Sequence, residues 1–333
     1  MNRFIYSWIF LLCVLATGCD SMFEKELPPH NLVGENAITN ESSAEVALNG
    51  IYSYLTSYGT MSAYYISDNE YRTGLLDSTY RTAFELNQLL EFEMNDEDGY
   101  VSAPWQLVYK MVNAANNFIY NVEKLSESKF GQNRKTEMLA EAKFTRAFAH
   151  AFLLRRYGYF WDTNSDYGPI IRLEPSALSN NNQGRSSVKE SYEKIFEDLD
   201  YAIKYGPEFY SRYRGCATTA KAFKADLLMN RGAEGDYAEA IRLADEVIGS
   251  SEFGLEATYR DIFTNGYNSK ELMFTRHLKS VPTMMANVGS LLKLFGGGTY
   301  KPSKLFLEIL TPKDKRYVVT LDSMVIGNGT LAK

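Results

Sequence analysis

Histidine and cysteine are scarce in this chain, which has three of each among 333 residues. None of the histidines (His30, His150 and His277) has another metal-type ligand three or four residues further on, so no zinc site is predicted. His150 lies in an apolar stretch and is expected to be a packed or hydrogen-bonded core residue. No cofactor and no metal are predicted.

Basic runs and catalytic motifs are also absent. The net charge is −6 and no Lys/Arg-rich run occurs, so nothing favours nucleic acid as a partner. The chain has no Gly-x-Ser-x-Gly segment, and Gly296-Gly297-Gly298 lacks the Gly-Lys-Ser/Thr continuation of a phosphate loop. Carboxylates such as Asp68, Glu70 and Asp77 could flank a glycosidic bond, but the sequence does not give their separation. Enzyme activity therefore has no positive support in the sequence, and a degradative hydrolase stays an alternative.

A long hydrophobic run is missing everywhere except at the N-terminus. Arg3 is followed by an apolar run (residues 4–16) that is too short to span a membrane and has the form of a secretory signal. The next residues complete Leu-Ala-Thr-Gly-Cys, which looks like a bacterial lipobox, so cleavage after Gly18 would leave Cys19 as a diacylated first residue. The alternative is an ordinary signal peptide with an incidental cysteine. A processed chain would keep only Cys19 and Cys216, so no disulfide within it is predicted.

Helical periodicity, by contrast, is strong. Between Glu137 and Phe160, three phenylalanines (Phe144, Phe148 and Phe152) recur every four residues, and alanines fill the adjoining arc. A helix that is apolar over so wide an arc is buried between other helices. We predict an all-α fold in which tetratricopeptide-like helical hairpins form an α-α superhelix with long irregular loops.

Other helices are predicted from the same spacing and from capping signals. The predicted elements are a helix that starts near Ser42 with a Ser42-x-x-Glu45 capping box, a helix opened by Pro104, a helix capped by Ser187 and ended by Gly206, and a hairpin of Ala217–Asn230 and Asp236–Ile248.

Helical signals thin out after Ser250, and Tyr317–Leu321 has a β-like pattern. We expect residues 1–18 to be a lipoprotein signal peptide and 19–40 a lipidated tether. Residues 41–295 would form the helical domain, and 296–333 the start of an irregular C-terminal region that is truncated.

Aromatic residues make up 14% of the chain, including 24 tyrosines, which serve either helix packing or a ligand surface. Residues 60–100 lose periodicity and gather tyrosines and acids, and loops of this length are often functional. The acidic segment Asn95–Gly99 lacks the twelve-residue pattern of a calcium loop, so a solvated acidic turn is favoured. Trp105 lies on a regular helical stripe and is predicted to belong to the core.

Several segments also occur in an order and spacing that cover nearly the whole chain. They are the Cys19 lipobox with its acidic tail, Asn49-Gly50-Ile51-Tyr52, Trp105 to Asn116, Glu141 to Gly158, Arg185 to Ile203, Asp236-Tyr237-x-x-Ala240, Phe263, and Asn268 to Glu271 before Met273-Phe274. This set resembles the SusD/RagB family of surface nutrient-binding lipoproteins from Bacteroidetes.

The resemblance implies a tetratricopeptide-like protein that is lipid-anchored at the outer face of the cell outer membrane and is not an enzyme. Its expected partners are an oligosaccharide or polysaccharide ligand and a SusC-type TonB-dependent transporter, over which it would lie as a lid. There are two alternatives. One is a peptide-binding RagB-like uptake component, and the other is a transporter-docking helical module without its own small ligand. Family members are longer, so the chain is expected to be a fragment or a short member.

Candidate ligand-binding residues are aromatic and arginine side chains in the predicted loops. Sugar rings stack on aromatic faces, and sugar hydroxyls bond to Arg, Asn or Asp. Local loop packing is the alternative for each of them. The candidates are Tyr64, Tyr65, Tyr71, Arg72, Trp161, Tyr167 and Tyr300.

Overall fold

The computed structural model describes residues 37–56, 73–78, 93, 95–97, 99–275, 300–320, 325–326 and 329–330. Helices dominate the described part, and the strands are two or three residues long. The helices are α1 (Glu41–Ser53), α2 (Gly99–Glu123), α3 (Arg134–Tyr157), α4 (Val188–Tyr205), α5 (Ala217–Arg231), α6 (Asp236–Ile248), α7 (Tyr259–Thr264), α8 (Lys304–Ile309) and α9 (Tyr317–Thr320). The strands are β1 (Leu76–Ser78), β2 (Tyr300–Pro302), β3 (Val325–Ile326) and β4 (Gly329–Thr330).

Helices α2 to α6 pack in chain order, each one against the next, and α1 packs against both α2 and α3. The turn Gly232–Gly235 joins α5 and α6 into the predicted hairpin, and Gly232 has the left-handed backbone (φ 60°) that ends α5. The predicted all-α, tetratricopeptide-like fold is therefore confirmed. In the described residues, no helix has the length and apolar character that a membrane crossing requires.

Helix α3 lies at the centre of this arrangement. Most of its residues from Met138 to Leu154 are buried, as its wide apolar arc predicts. Phe144 meets Phe274 edge-on, with 5.2 Å between the ring centroids. Gly215 approaches Phe144 so closely that a Cβ atom would overlap the ring, so this position requires glycine.

The main hydrophobic core lies between α3, α4 and α5. Tyr192, Ile195 and Leu199 of α4 are fully buried in it, and Leu227 of α5 packs into the same cluster. Full burial of one such side chain stabilises the folded state by roughly 1.5–3 kcal/mol. The spacing of three and four residues in α4 therefore corresponds to a real inward face.

Two helix starts differ from the sequence-based prediction. Helix α1 is capped by Asn40 rather than Ser42: the Asn40 side chain accepts from the Ser43 N–H (3.0 Å), and Ser43 Oγ accepts from the Asn40 N–H (3.1 Å). Helix α2 begins at Gly99, so Pro104 lies inside it instead of opening it. Proline there cannot donate a hydrogen bond to the carbonyl of residue 100, so it interrupts the hydrogen-bond ladder near the start of a 25-residue helix.

The β-like prediction for Tyr317–Leu321 is wrong, because residues 317–320 form the one-turn helix α9. Asp314 starts this turn: its carboxylate accepts from the Arg316 N–H (2.8 Å), and its carbonyl accepts from the Tyr317 N–H (3.0 Å). These local bonds outweigh the strand preference of the β-branched residues.

Short strand pairs join distant segments. Strand β1 pairs antiparallel with β2, so Ser78 lies opposite Tyr300 and Leu76 opposite Pro302. Strands β3 and β4 pair with each other in the same way.

Candidate functional site

Three aromatic side chains lie exposed beside one another in the loop that follows α3. We call Tyr159, Trp161 and Tyr167 the aromatic platform; they expose 50%, 63% and 59% of their surface. The rings of Tyr159 and Trp161 are stacked, with centroids 5.3 Å apart and planes 21° apart. Tyr167 also contacts Tyr159, with ring centroids 5.2 Å apart. Exposed large aromatics that contact each other rather than the core form a binding surface more readily than single exposed ones.

Two glycines bring the two ends of this loop together. The Tyr159 N–H donates to the Tyr167 carbonyl (3.0 Å), and a Cβ at Gly158 would lie 2.8 Å from that same oxygen. The Gly168 N–H donates to Ser186, and a Cβ at Gly168 would lie 2.5 Å from Ser191 Oγ. The platform therefore depends on close backbone approach at both glycines.

Phe160 anchors the platform to the core. Its ring is partly buried against the α3–α5 cluster and meets Trp161 edge-on at 5.1 Å. Its carbonyl accepts a hydrogen bond from Tyr192 Oη (3.0 Å). Burial raises the pKa of Tyr192 to about 12, although the nearby Arg155 opposes that rise, so the phenol keeps its proton and donates.

The loop that carries the platform also exposes polar side chains. Asp162, Asn164 and Asp166 are exposed, and Asp162 accepts from the Asn164 N–H (3.0 Å). Arg185 Nη1 donates to the carbonyls of Tyr157 (3.0 Å) and Gly168 (2.9 Å). These residues flank the platform loop on either side, so Arg185 bonds to both of its ends. An aromatic surface in a loop that also exposes carboxylates and an amide is suited to a ligand with apolar faces and hydroxyl groups.

Trp105 is only half-buried and is not the core residue that its helical stripe predicts. It lies near the start of α2, where its ring meets Tyr109 (4.7 Å) and the last residue of α3, Tyr157 (5.1 Å), edge-on. Helix α3 ends there, so no further helical turn covers the indole. The ring lines a surface cleft of about 370 Å³.

His150 is buried in α3, and its Nε2 accepts from the Arg172 N–H (3.3 Å). Burial first, and then the charge of Arg146, lower its pKa to about 3. The prediction of a packed, hydrogen-bonded histidine is confirmed. In the part of the chain that the structure describes, no group of three or more His, Cys, Asp or Glu side chains is placed to hold a metal ion.

Comparison with known proteins identifies the family. Residues 33–227 match the SusD-like family described as "Starch-binding associating with outer membrane". The chain belongs to the SusD-like family. It is 27% identical over 282 residues to "SusD-like protein P2" of Formosa agariphila and 26% identical over 289 residues to a "SusD-like protein" of Bacteroides ovatus. These alignments cover 83% and 82% of this chain but 53% and 50% of the relatives, so the chain spans about half their length.

Solved SusD-like structures have the same fold. A SusD superfamily protein from Bacteroides vulgatus superposes with a TM-score of 0.75 at 19% identity, over 88% of this chain and 67% of its own. One from Bacteroides thetaiotaomicron gives a TM-score of 0.71 at 22% identity, over 88% and 66%. A protein described as "Laminarin binding SusD-like protein" gives 0.58 at 19% identity, over 71% and 51%.

The structure brings together two of the residues predicted from the sequence of this SusD-like protein. Trp161 and Tyr167 both contact Tyr159 in the aromatic platform, and Tyr300 lies in β2. Tyr159 was missed, although it directly follows the helix-ending Gly158 in the same predicted loop. The other candidates fall outside the described residues: Tyr64, Tyr65, Tyr71 and Arg72, together with the lipidation candidate Cys19.

Proposed function

We propose that this protein captures oligosaccharide on the aromatic platform and delivers it to a SusC-type TonB-dependent outer-membrane transporter. The observation that carries the proposal is the stacked, exposed pair Tyr159 and Trp161, extended by Tyr167. Adjacent rings offer an apolar surface for the C–H faces of sugar units. Asp162 and Asn164, in the same loop, can bond to the hydroxyls.

Location at the cell exterior is part of the same proposal. The lipobox at Cys19 supports a lipid anchor, and the family description supports association with the outer membrane. Several acyl chains on one residue hold a protein to a membrane stably, whereas a single chain does not. A binding protein held there would supply the transporter with ligand at a high local concentration.

The first experiment identifies the ligand. The processed chain, from residue 19 onward, is run on native gels that contain soluble polysaccharides, with laminarin first because a structural neighbour is described as laminarin-binding. We expect retardation by one glycan and saturable binding of its oligosaccharide in calorimetry. A folded protein that ignores every glycan but binds peptides would favour the peptide-binding alternative, and binding to the transporter alone would favour the docking module.

Alanine variants then test the platform. Trp161→Ala and Tyr167→Ala should each weaken binding at least tenfold, because each removes a stacking face without cutting a backbone bond of the loop. Tyr237→Ala is the matched control, since Tyr237 is a tyrosine of similar exposure (61%) on α6. Unchanged affinity in the platform variants, or an equal loss in Tyr237→Ala, would disprove the platform as the binding surface.

Incubation of the retained glycan with the protein also separates binding from hydrolysis. We expect the glycan chain length to stay constant. Shorter products that depend on protein concentration would instead support the hydrolase alternative.

A further inference from the structure

A second concave surface lies along the first half of α2. It is the cleft of about 370 Å³, a size typical of small-molecule sites, and it shares no residue with the aromatic platform. Its walls are formed by α2 and by the loop that leads from α3 to α4. The lining residues are Trp105, Gln106, Tyr109, Lys110, Asn113, Ile170, Arg172, Ser176 and Asn181.

The walls of this cleft are fixed by hydrogen bonds. Tyr109 Oη donates to the Ile170 carbonyl (3.1 Å) and accepts from the Ile170 N–H (2.9 Å). Asn113 accepts from the Ser176 N–H (2.8 Å). Arg172 donates through its two terminal nitrogens to the carbonyls of residues 180 (3.0 Å) and 181 (2.8 Å). A ligand would therefore meet a surface that needs little ordering on binding.

The charge of the cleft differs from that of the whole chain. Among the residues that the structure describes, its lining contains two cations, Lys110 and Arg172, and no carboxylate, although the chain carries a net charge of −6. Lys110 is exposed, and no hydrogen bond or ion pair joins its ammonium to another residue in the described part of the chain. A cationic pocket in an acidic protein selects a negatively charged group.

The remaining lining suits a sugar. Trp105 supplies an aromatic wall, and Gln106, Ser176 and Asn181 supply amide and hydroxyl groups that can both donate and accept. The Tyr109 phenol is neutral at physiological pH, and burial raises its pKa further, to about 12. Aromatic, amide and cationic groups together match a pyranose ring that bears an acidic substituent.

We propose that the cleft is a second saccharide site, which binds a sugar unit carrying a carboxylate or a sulfate group. The proposal rests on the proposed function in one respect only, namely that the ligand is a glycan. Lys110 would pair with the acidic group, and Trp105 would pack against the sugar ring. Because the two surfaces share no residue, each can fail independently of the other.

Tryptophan fluorescence can test the cleft separately from the platform. In the processed chain, Trp105 and Trp161 are the only tryptophans, because the third, Trp8, lies in the signal segment. In the variant Trp161→Phe, the emission therefore reports on Trp105 alone. The probes are oligogalacturonate, a sulfated galactan oligosaccharide, neutral laminari-oligosaccharide and inorganic sulfate.

We expect an acidic oligosaccharide to change the Trp105 emission with saturation, and its affinity to fall as salt rises. In the same Trp161→Phe background, Lys110→Gln should weaken binding of the acidic oligosaccharide at least fivefold. It should leave the response to the neutral laminari-oligosaccharide unchanged. Lys124→Gln is the matched control, because it removes an exposed lysine that directly follows the same helix and lies outside the cleft.

Three results would overturn the proposal: no response of Trp105 to either acidic oligosaccharide, equal affinity in Lys110→Gln, or inorganic sulfate binding as tightly as the sulfated oligosaccharide. The last result would leave a simple anion site. Loss of neutral-glycan binding in Trp161→Ala bears only on the aromatic platform and leaves the proposal for the cleft unchanged.

Discussion

At the scale of single residues, Arg146 links the three central helices and the wall of the cleft. Its guanidinium pairs with Asp198 of α4 through two hydrogen bonds of 2.7 Å and donates to Asn116 of α2 (2.8 Å) and the Leu173 carbonyl (3.1 Å). The Asn116 amide in turn holds the carbonyl of Arg172 (3.0 Å). Each of the three nitrogens of the Arg146 guanidinium thus has a partner inside the protein.

Removing the carboxylate at Asp198 should leave the buried Arg146 charge unpaired. We expect Asp198→Ala to lower the free energy of unfolding by about 3–5 kcal/mol, measured by urea denaturation, since breaking one half of a buried ion pair costs that much. Glu197→Gln, which disrupts an exposed pair with Lys194 on the same helix, is the control and should leave the midpoint unchanged. Equal shifts in the two variants would contradict the structural role of this network.

The pH dependence of stability provides a second test at this scale, because His150 titrates differently in the two states. Its pKa is about 3 when folded and near 6.5 when unfolded. Between those values the unfolded chain binds a proton that the folded chain does not, so stability falls as pH decreases below 6.5. Above pH 6.5 the histidine contributes no pH dependence.

His150→Gln should remove part of that acid sensitivity. Glutamine can still accept the Arg172 N–H, but it does not take up a proton. The variant should therefore lose up to about 1.4 kcal/mol less stability per pH unit than the wild type between pH 6 and pH 4. Denaturation curves at both pH values measure this, with His30→Gln as the control. Parallel losses in wild type and His150→Gln would show that His150 is protonated in the folded state.

At the scale of elements, the caps explain why some helix ends were predictable and others were not. Ser187 fits its prediction: its hydroxyl accepts from the Glu190 N–H (3.1 Å) and α4 follows directly. Ser42 shows the same Ser-x-x-Glu spacing, yet Asn40 caps α1 and Ser43 completes the box. Asn40, Ser42 and Ser43 are all of types that can cap a helix, so the local sequence is compatible with more than one first residue of α1.

Substitution separates the two cap assignments for α1. Asn40→Ala should cost about 1 kcal/mol of stability, because it leaves the Ser43 N–H without its side-chain acceptor. Ser42→Ala should have almost no effect, since Ser42 is exposed in the first turn. Thermal unfolding of both variants checks this, and a larger loss in Ser42→Ala would favour the cap inferred from the sequence.

Periodicity predicted the inward faces of α2, α3 and α4 well, because a continuous apolar stripe has to be buried. The prediction that Trp105 is buried was wrong. Trp105 lies on the apolar stripe of α2, but the neighbouring helix α3 ends at Tyr157 and leaves the indole half-exposed. The platform was predicted only in part for a similar reason. Trp161 and Tyr167 stood out as loop aromatics, but their contacts with Tyr159 depend on the close backbone approach at Gly158 and Gly168, which no local pattern records.

At the scale of the whole molecule, the helical stack serves as a rigid support for two surfaces of different chemistry. The platform has a loop edged with acids and suits neutral sugar faces, whereas the cleft carries two cations. On both proposals, a glycan that spans the two surfaces with a neutral and an acidic unit would bind more tightly than at either site alone. This SusD-like chain spans about half the length of its curated relatives, and the described surfaces all lie between residues 105 and 181.

The most direct test of glycan capture on the platform is the fluorescence of Trp161 in the processed Trp105→Phe variant, where Trp161 is the only tryptophan. Titration with the glycan identified by gel retardation should shift its emission with the same affinity that calorimetry gives. Emission that stays constant while calorimetry reports binding would mean that the glycan binds elsewhere, and the assignment of the platform would be wrong.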